Sequence, residues 1–215
     1  MSPLDAEIQT ALKILSRGAE GVDAVLGMNA AENRFSLALS SLQQLAEEQG
    51  IPIAIVGGLG AIRYGYPAAT QDIDVAVSKD QLSALLSVAS RYGFVIAFES
   101  KLGWHTLTHG DVEINIVPEG GSARDSSPTR IPGPQQMGID SGLGYASIET
   151  WVELKISSGR QKDRAHVVEV LKLADPNTVE KIRSHLNSVH ELYEQTMLDL
   201  LAEAESEREQ EQERK

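Results

Sequence analysis

The sequence predicts one α/β (α+β) domain, a small mixed sheet flanked by helices, with a C-terminal helical extension. Three observations carry this. Short apolar runs at 53–56, 72–77, 94–98, 104–108 and 112–117, several bounded by glycine or proline, have the length and punctuation of strands. Around them lie stretches with apolar residues every three or four positions, the period of helices buried on one face. After residue 175 only the helical period remains, and from Ala202 onward no apolar residue is larger than alanine.

The densest pattern is IAIVGGLGAIRYGYPAATQDIDVAV at 53–77. Its first apolar run ends in Gly57-Gly58, which suits a buried strand breaking into a tight turn where the backbone lies bare. A short helix is expected over 59–64, stopped by Gly65 and Pro67. The next strand, 72–77, alternates its side chains between two faces. Asp72 and Asp74 therefore project to one side, while Ile73, Val75 and Val77 bury the other. Two carboxylates on one edge suit a hard cation, Mg²⁺ or Mn²⁺, and the free N–H groups of a glycine turn at a helix start can cradle phosphate. Competing phosphate motifs fit worse: Gly58-x-Gly60 begins a dinucleotide fingerprint, but its third glycine position is Arg63, and no Gly-Lys-Ser/Thr exists for a P-loop.

Gly57-Gly58, then thirteen residues, then Asp72-Ile73-Asp74, with Thr70 two positions before the first aspartate, resembles the signature of the DNA-polymerase-β-like nucleotidyltransferase superfamily. Within it the chain looks most like the small bacterial nucleotidyltransferases related to abortive-infection toxins. The usual Gly-Ser is Gly-Gly here, one hydroxyl fewer near the phosphates. Glu153-Leu154-Lys155 with Arg160, Lys162-Asp163 and Arg164 resembles the family's second block, in which a helix lysine faces a triphosphate; as residues alone, it reads as a solvated helix face with internal ion pairs. The resemblance covers about 51–173.

That resemblance implies the nucleotidyltransferase fold and metal-dependent transfer of a nucleotidyl group from a nucleoside triphosphate to a hydroxyl of RNA or protein. It implies Asp72 and Asp74 as ligands of Mg²⁺ or Mn²⁺, and Gly57, Gly58, Thr70, Lys155 and Arg160 as nucleotide contacts. A toxin-like role with a cognate antitoxin, or a homo-oligomer, would follow from the same likeness. The alternative is a non-catalytic nucleotide-binding or protein-interaction module that kept the fold with an incomplete metal site. Family members usually carry a third carboxylate on a strand beside the pair, and aligning 114–121 puts Asn115 there. An amide oxygen can ligate but carries no charge and cannot act as a base. Glu113 lies on the same face but roughly 6.6 Å along the strand. Either the register makes Glu113 the third acid, or Asn115 holds that position and turnover is slow.

Composition narrows the alternatives. A net charge of −12 argues against a broad basic surface for nucleic acid, so an RNA substrate would have to be met by a local basic patch. With no cysteine there are no disulfides and no thiolate metal sites. The N-terminal residues show no basic segment followed by an apolar stretch, and no apolar run approaches the roughly 20 residues that span a bilayer, so a cytoplasmic location is expected.

The organisation expected is N-terminal helices over 1–50, the nucleotidyltransferase-like domain over 51–174, and a C-terminal helix with a charged tail over 175–215. Leu4, Ile8, Leu12 and Leu15 predict a first amphipathic helix; Phe35, Leu39, Leu42 and Leu45 predict a second over 33–48. A helix over 81–92 follows behind a Ser78 cap. Gly110-Asp111 marks a hairpin whose strands lie beside the one carrying the aspartates. His105 and His109 read as surface or hydrogen-bonded histidines. Residues 118–146, rich in glycine, proline and serine and holding Arg124 and Arg130, read as a long functional or surface loop. Ser147 caps a helix that breaks at Gly159 and resumes. Asn177 with Glu180 predicts the capping box of one last helix, striped by Ile182, Leu186, Tyr193, Met197 and Leu200, whose tail should fray or stand in solvent.

Overall fold

The computed structural model describes residues 34–68, 70–100 and 103–213. The first helix expected from the sequence lies outside them. The chain forms two compact units, Met1–Gly121 with Pro132–Ala146, and Ser122–Ile131 with Ser147–Lys215.

The first unit is built on a six-stranded mixed sheet in the order β3-β4-β5-β2-β1-β6. Its elements in chain order are α1 (Arg34–Gln49), β1 (Ile53–Ile55), α2 (Gly57–Arg63), β2 (Asp72–Val77), α3 (Leu82–Val88), a 3₁₀ turn Ala89–Tyr92, β3 (Val95–Glu99), β4 (His105–His109), β5 (Val112–Pro118), a second 3₁₀ turn Pro134–Met137 and β6 (Leu143–Tyr145). Gly110 turns the chain between β4 and β5 with φ 60°, a conformation that favours glycine. β5 then runs parallel to β2, while β1 pairs β2 from the other side in the antiparallel sense. β6, inside the segment expected to be loop, adds a parallel strand to β1. Three residues are too few to display an alternating pattern.

Alternation decides which faces are covered. Ile73 and Val75 from β2, Leu107 from β4, and Ile114 and Ile116 from β5 are fully buried, together with Leu39, Leu42 and Leu45 of α1. Each such side chain contributes roughly 1.5–3 kcal/mol relative to exposure. β3 and β6 are the edge strands, and Val95 and Phe98 of β3 are exposed. His105 and His109 are hydrogen-bonded as expected, to the Gly103 carbonyl at 2.8 Å and to the Ser41 hydroxyl at 3.0 Å. The Ser78 cap is not made by its hydroxyl: its carbonyl accepts from the Gln81 and Leu82 N–H groups, both at 3.1 Å.

The second unit is helical: α4 (Ile148–Ser158), α5 (Gln161–Leu173), α6 (Pro176–Val189) and α7 (Glu191–Glu213). Ser147 caps α4 as its position predicts, accepting from the Thr150 N–H, and Gly159 ends it with φ 61°. Two expectations are corrected at α6 and α7. The cap of α6 is Asp175, not Asn177, because its carboxylate reaches the Asn177 and Thr178 N–H groups at 2.9 and 3.0 Å while Pro176 fills the first turn, where no N–H is needed. The single last helix is two, broken at His190, whose φ −163° and ψ 133° are extended.

The charged tail does not stand free. Ala204 is buried, and α7, which extends to Glu213, meets α5 through residues from Glu203 to Glu211. Lys172 Nζ, on a side chain only 8% exposed, meets Glu207 at 3.2 Å and Glu211 at 2.5 Å, while Arg208 donates to the Leu171 and Lys172 carbonyls at the end of α5. An alanine and long-range ion pairs leave no apolar stripe, so the packing was invisible to hydrophobic periodicity. Among the described residues no helix is long and apolar enough to cross a membrane.

Candidate functional site

The alternation of β2 sets the site. Ile73 and Val75 are drawn into the core, so Asp72 and Asp74 are left half-buried on the opposite face. In the β2–β5 register Asp74 faces Asn115 and Asp72 faces Glu113. Register thus puts one residue of β5 opposite each aspartate; Asn115 is the one whose side chain reaches both, and the exposed Glu113 lies two residues away along β5.

Asn115 Nδ2 donates to Asp72 Oδ2 at 3.1 Å and Asp74 Oδ1 at 3.3 Å, and its Oδ1 accepts from the Thr106 hydroxyl at 3.1 Å. Ionised carboxylates only accept, so the amide must turn its NH₂ toward them, and Thr106 secures the other end. Thr106 was not among the expected residues, though counting four steps outward from Gly110-Asp111 brings it opposite Asn115 on β4.

The glycines lie against this cluster. Gly57 has φ 64°, and a Cβ placed on it would come within 2.0 Å of Asp74 Oδ2. Just before it, the Val56 N–H donates to the Asp74 carbonyl at 2.9 Å. A Cβ on Gly58 would come within 2.7 Å of Thr70 Oγ1. The space of a side chain at 58 is thus already held by the Thr70 hydroxyl, which donates toward the Asp72 carbonyl at 3.0 Å and Asp72 Oδ1 at 3.1 Å. The backbone approaches the Asp74 carboxylate and the Thr70 side chain this closely only because both positions are glycine.

As a cation site the set has two anionic ligands. Among the described residues no group of three or more His, Asp or Glu is placed to hold a metal ion. Asp72 and Asp74 offer hard oxygens of the kind Mg²⁺ takes when phosphate and water complete its shell, whereas Asn115 turns donors, not an acceptor, toward the pair.

The basic segment belongs to the second unit. Lys155 is buried, with Nζ 2.5 Å from Asp163 Oδ1 and 5.6 Å from the Trp151 ring centroid. Ser158 Oγ donates to the other Asp163 oxygen at 2.5 Å. Burial pushes the Asp163 carboxyl up, but Lys155, Ser158 and Arg160 more than offset it and hold it below the usual carboxylate value. Arg160 itself is exposed, immediately before α5. The structure thus gathers Gly57, Gly58, Thr70, Asp72, Asp74 and Asn115 in the first unit, and makes Lys155 one half of an internal ion pair in the second.

No protein-family model matches the chain, and no curated protein matches it. Among solved structures, the antibiotic-resistance factor ANT(2'')-Ia in solution is similar at 18% identity with a TM-score of 0.42, over 83% of this chain and 95% of that one. A crystal structure of ANT(2'')-Ia in complex with adenylyl-2''-tobramycin is similar at 16% identity with a TM-score of 0.39, over 79% and 96%. Likeness at this level carries no residue's role across.

Proposed function

We propose that the first unit transfers a nucleotidyl group from a nucleoside triphosphate to a hydroxyl of RNA or protein. The observation that carries this reading is the close approach of Gly57 to Asp74. A backbone turn stripped of side chains lies directly against the Asp74 carboxylate and the Thr70 hydroxyl that bonds Asp72, which is what a phosphate chain bound together with a hard cation requires. Asp72 and Asp74 would hold Mg²⁺ or Mn²⁺, which supplies charge neutralisation at the transferring phosphate. Gly57 and Gly58 would offer backbone N–H groups to the phosphates, and Thr70 would fix the Asp72 carboxylate that it already bonds. Lys155 and Arg160 are proposed as further triphosphate contacts from the sequence pattern alone. In the reaction the acceptor oxygen bonds to the α-phosphorus, the bond to the β-bridging oxygen breaks, pyrophosphate leaves, and the hydroxyl proton is released. Asn115 has no basic lone pair to take that proton, so transfer is expected to be slow.

One observation favours a second reading. The Asn115 amide already satisfies both carboxylates, as it would in a module that binds nucleotide without transferring it. Incubation with labelled triphosphates, Mn²⁺ and total RNA separates the two. Label on RNA or on the protein, lost in Asp74→Asn, supports the enzyme. Binding without transfer supports the module, and neither would end the nucleotide reading.

A further inference from the structure

Residues 122–131 belong to the second unit, although in sequence they interrupt the first. Two sets of polar contacts explain why. Ser127 Oγ donates to the Ser157 carbonyl at 2.9 Å and accepts from Ser157 Oγ at 3.1 Å, and Thr129 Oγ1 lies 2.6 Å from the Tyr193 hydroxyl. This strap is pinned to the end of α4 and to the start of α7. Ser127 also closes the local turn, its N–H donating to the Arg124 carbonyl at 3.0 Å and its hydroxyl accepting from the Arg124 N–H at 3.2 Å. Arg124 is thereby placed over Gly159, where a Cβ would come within 2.1 Å of its Nη1.

Arg124, Lys155, Arg164 and Tyr193 line a cavity of about 540 Å³, with Ile156 and Leu192 among its apolar walls. Arginine and lysine alone supply its charge; no carboxylate is among the described residues lining it. Lys155 is matched by Asp163, and Arg164 by Glu203 at 3.1 Å, but Arg124 meets no carboxylate within ion-pair distance among the described residues. Arg124 is exposed to solvent, and a guanidinium that no described carboxylate neutralises gives this cavity, in a chain of net charge −12, a positive charge that attracts an anion. Leu192, 60% exposed at the wall, gives that anion's apolar part a surface to cover.

We propose that this cavity binds a small organic anion, a carboxylate or phosphate monoester on an apolar or aromatic body. The volume lies within the range of small-ligand sites, and guanidinium pairs with either head group through two parallel hydrogen bonds. Lys155 and Arg164 keep their own partners and add attraction at longer range, while the apolar wall selects against bare inorganic anions. The site is confined to the second unit; it shares Lys155 with the proposed triphosphate contacts, whereas Arg124 and Leu192, which carry its test, are not among them.

The test is calorimetric titration of the full chain, without divalent metal, with phenyl phosphate, benzoate and inorganic phosphate. Phenyl phosphate or benzoate should bind at least about tenfold more tightly than inorganic phosphate, their ratio identifying the head group. Arg124→Gln should weaken that binding by about tenfold or more, the loss of one charge-assisted pair. Leu192→Asp, at a position exposed enough to leave folding intact, should weaken it comparably. Equal affinity for inorganic phosphate, absence of binding by both organic probes, or unchanged binding in Arg124→Gln with the parent's thermal unfolding would each overturn the proposal.

Discussion

Asn115 faces Asp74 across β2 and β5, and its amide nitrogen lies 3.3 Å from that carboxylate and 3.1 Å from Asp72. Two neighbouring carboxylates repel, and a shared donor relieves part of that repulsion with no ion present. The amide therefore does in the metal-free protein some of what a cation would do. It also removes the charge that a third acid would bring to the cation.

Asn115→Asp should reverse both effects. Mn²⁺ affinity should rise by about tenfold, roughly 1.4 kcal/mol, while the metal-free protein loses about 1 kcal/mol of stability to like-charge repulsion. Glu113→Gln should change neither quantity, because Glu113 is exposed and faces Asp72 two residues away along β5. Calorimetric Mn²⁺ titration with parallel urea unfolding reads both. If Glu113→Gln abolishes metal binding and Asn115→Asp does not improve it, the third-ligand position belongs to Glu113.

Gly57→Ala should be costly. The methyl would land 2.0 Å from Asp74 Oδ2 on a backbone with φ 64°, so strain and displacement of the carboxylate add together. Destabilisation of about 2–3 kcal/mol is expected, with Mn²⁺ binding reduced by the shift of Asp74. Gly58→Ser meets the Thr70 hydroxyl at 2.7 Å and its Cβ at 2.9 Å instead, and Thr70→Gly in the same chain, which removes both atoms, should relieve it. Additive losses in that double variant, measured by urea unfolding, would show that the two side chains do not compete for one space.

The acidic strand was legible because β2 is a half-buried strand of ordinary pattern, and period two fixes which residues share a face. The pairing of Asn115 with Asp74 rather than with Asp72 was not, because register depends on partners far away in sequence. Arg124 illustrates a second limit. A serine, a threonine and a glycine place it, and each reads in sequence as a loop residue. The extent of α7 shows a third, since it is tied to α5 by partners thirty-five or more residues apart, as in the Lys172–Glu207 pair and the Arg208–Leu171 contact.

The α7 contacts make a prediction opposite to the one its composition suggests. Deleting 203–215 would expose the surface covered by Ala204, strip Lys172 of Glu207 and Glu211, and remove Arg208 from the last carbonyls of α5. Lys172 would keep only Glu169, at 3.3 Å. A loss of about 2 kcal/mol, or roughly 4–8 °C in melting temperature, is expected by calorimetry. A truncated chain melting with the parent would show that the tail is not held.

The Lys155–Asp163 pair should set the acid limb of stability. Asp163 is buried yet titrates below the usual carboxylate value, since Lys155, Ser158 and Arg160 outweigh the burial that pushes it up. A folded-state pKa below the unfolded one means that the carboxylate's contribution is fully present above the ordinary value of about 4 and is lost as pH falls through the lower folded value. Asp163→Asn should therefore cost about 3 kcal/mol at neutral pH, because it leaves the Lys155 ammonium buried beside a neutral amide. That difference should shrink as urea unfolding is repeated at successively lower pH below about 4. Lys155→Met with Asp163→Leu removes both charges, and stability should return toward the parent because neither ion remains to be desolvated. A difference between parent and Asp163→Asn that stays constant from neutral to strongly acid pH would mean that the carboxylate does not titrate with the fold, and that Lys155 is held by Trp151 and the surrounding core rather than by its ion pair.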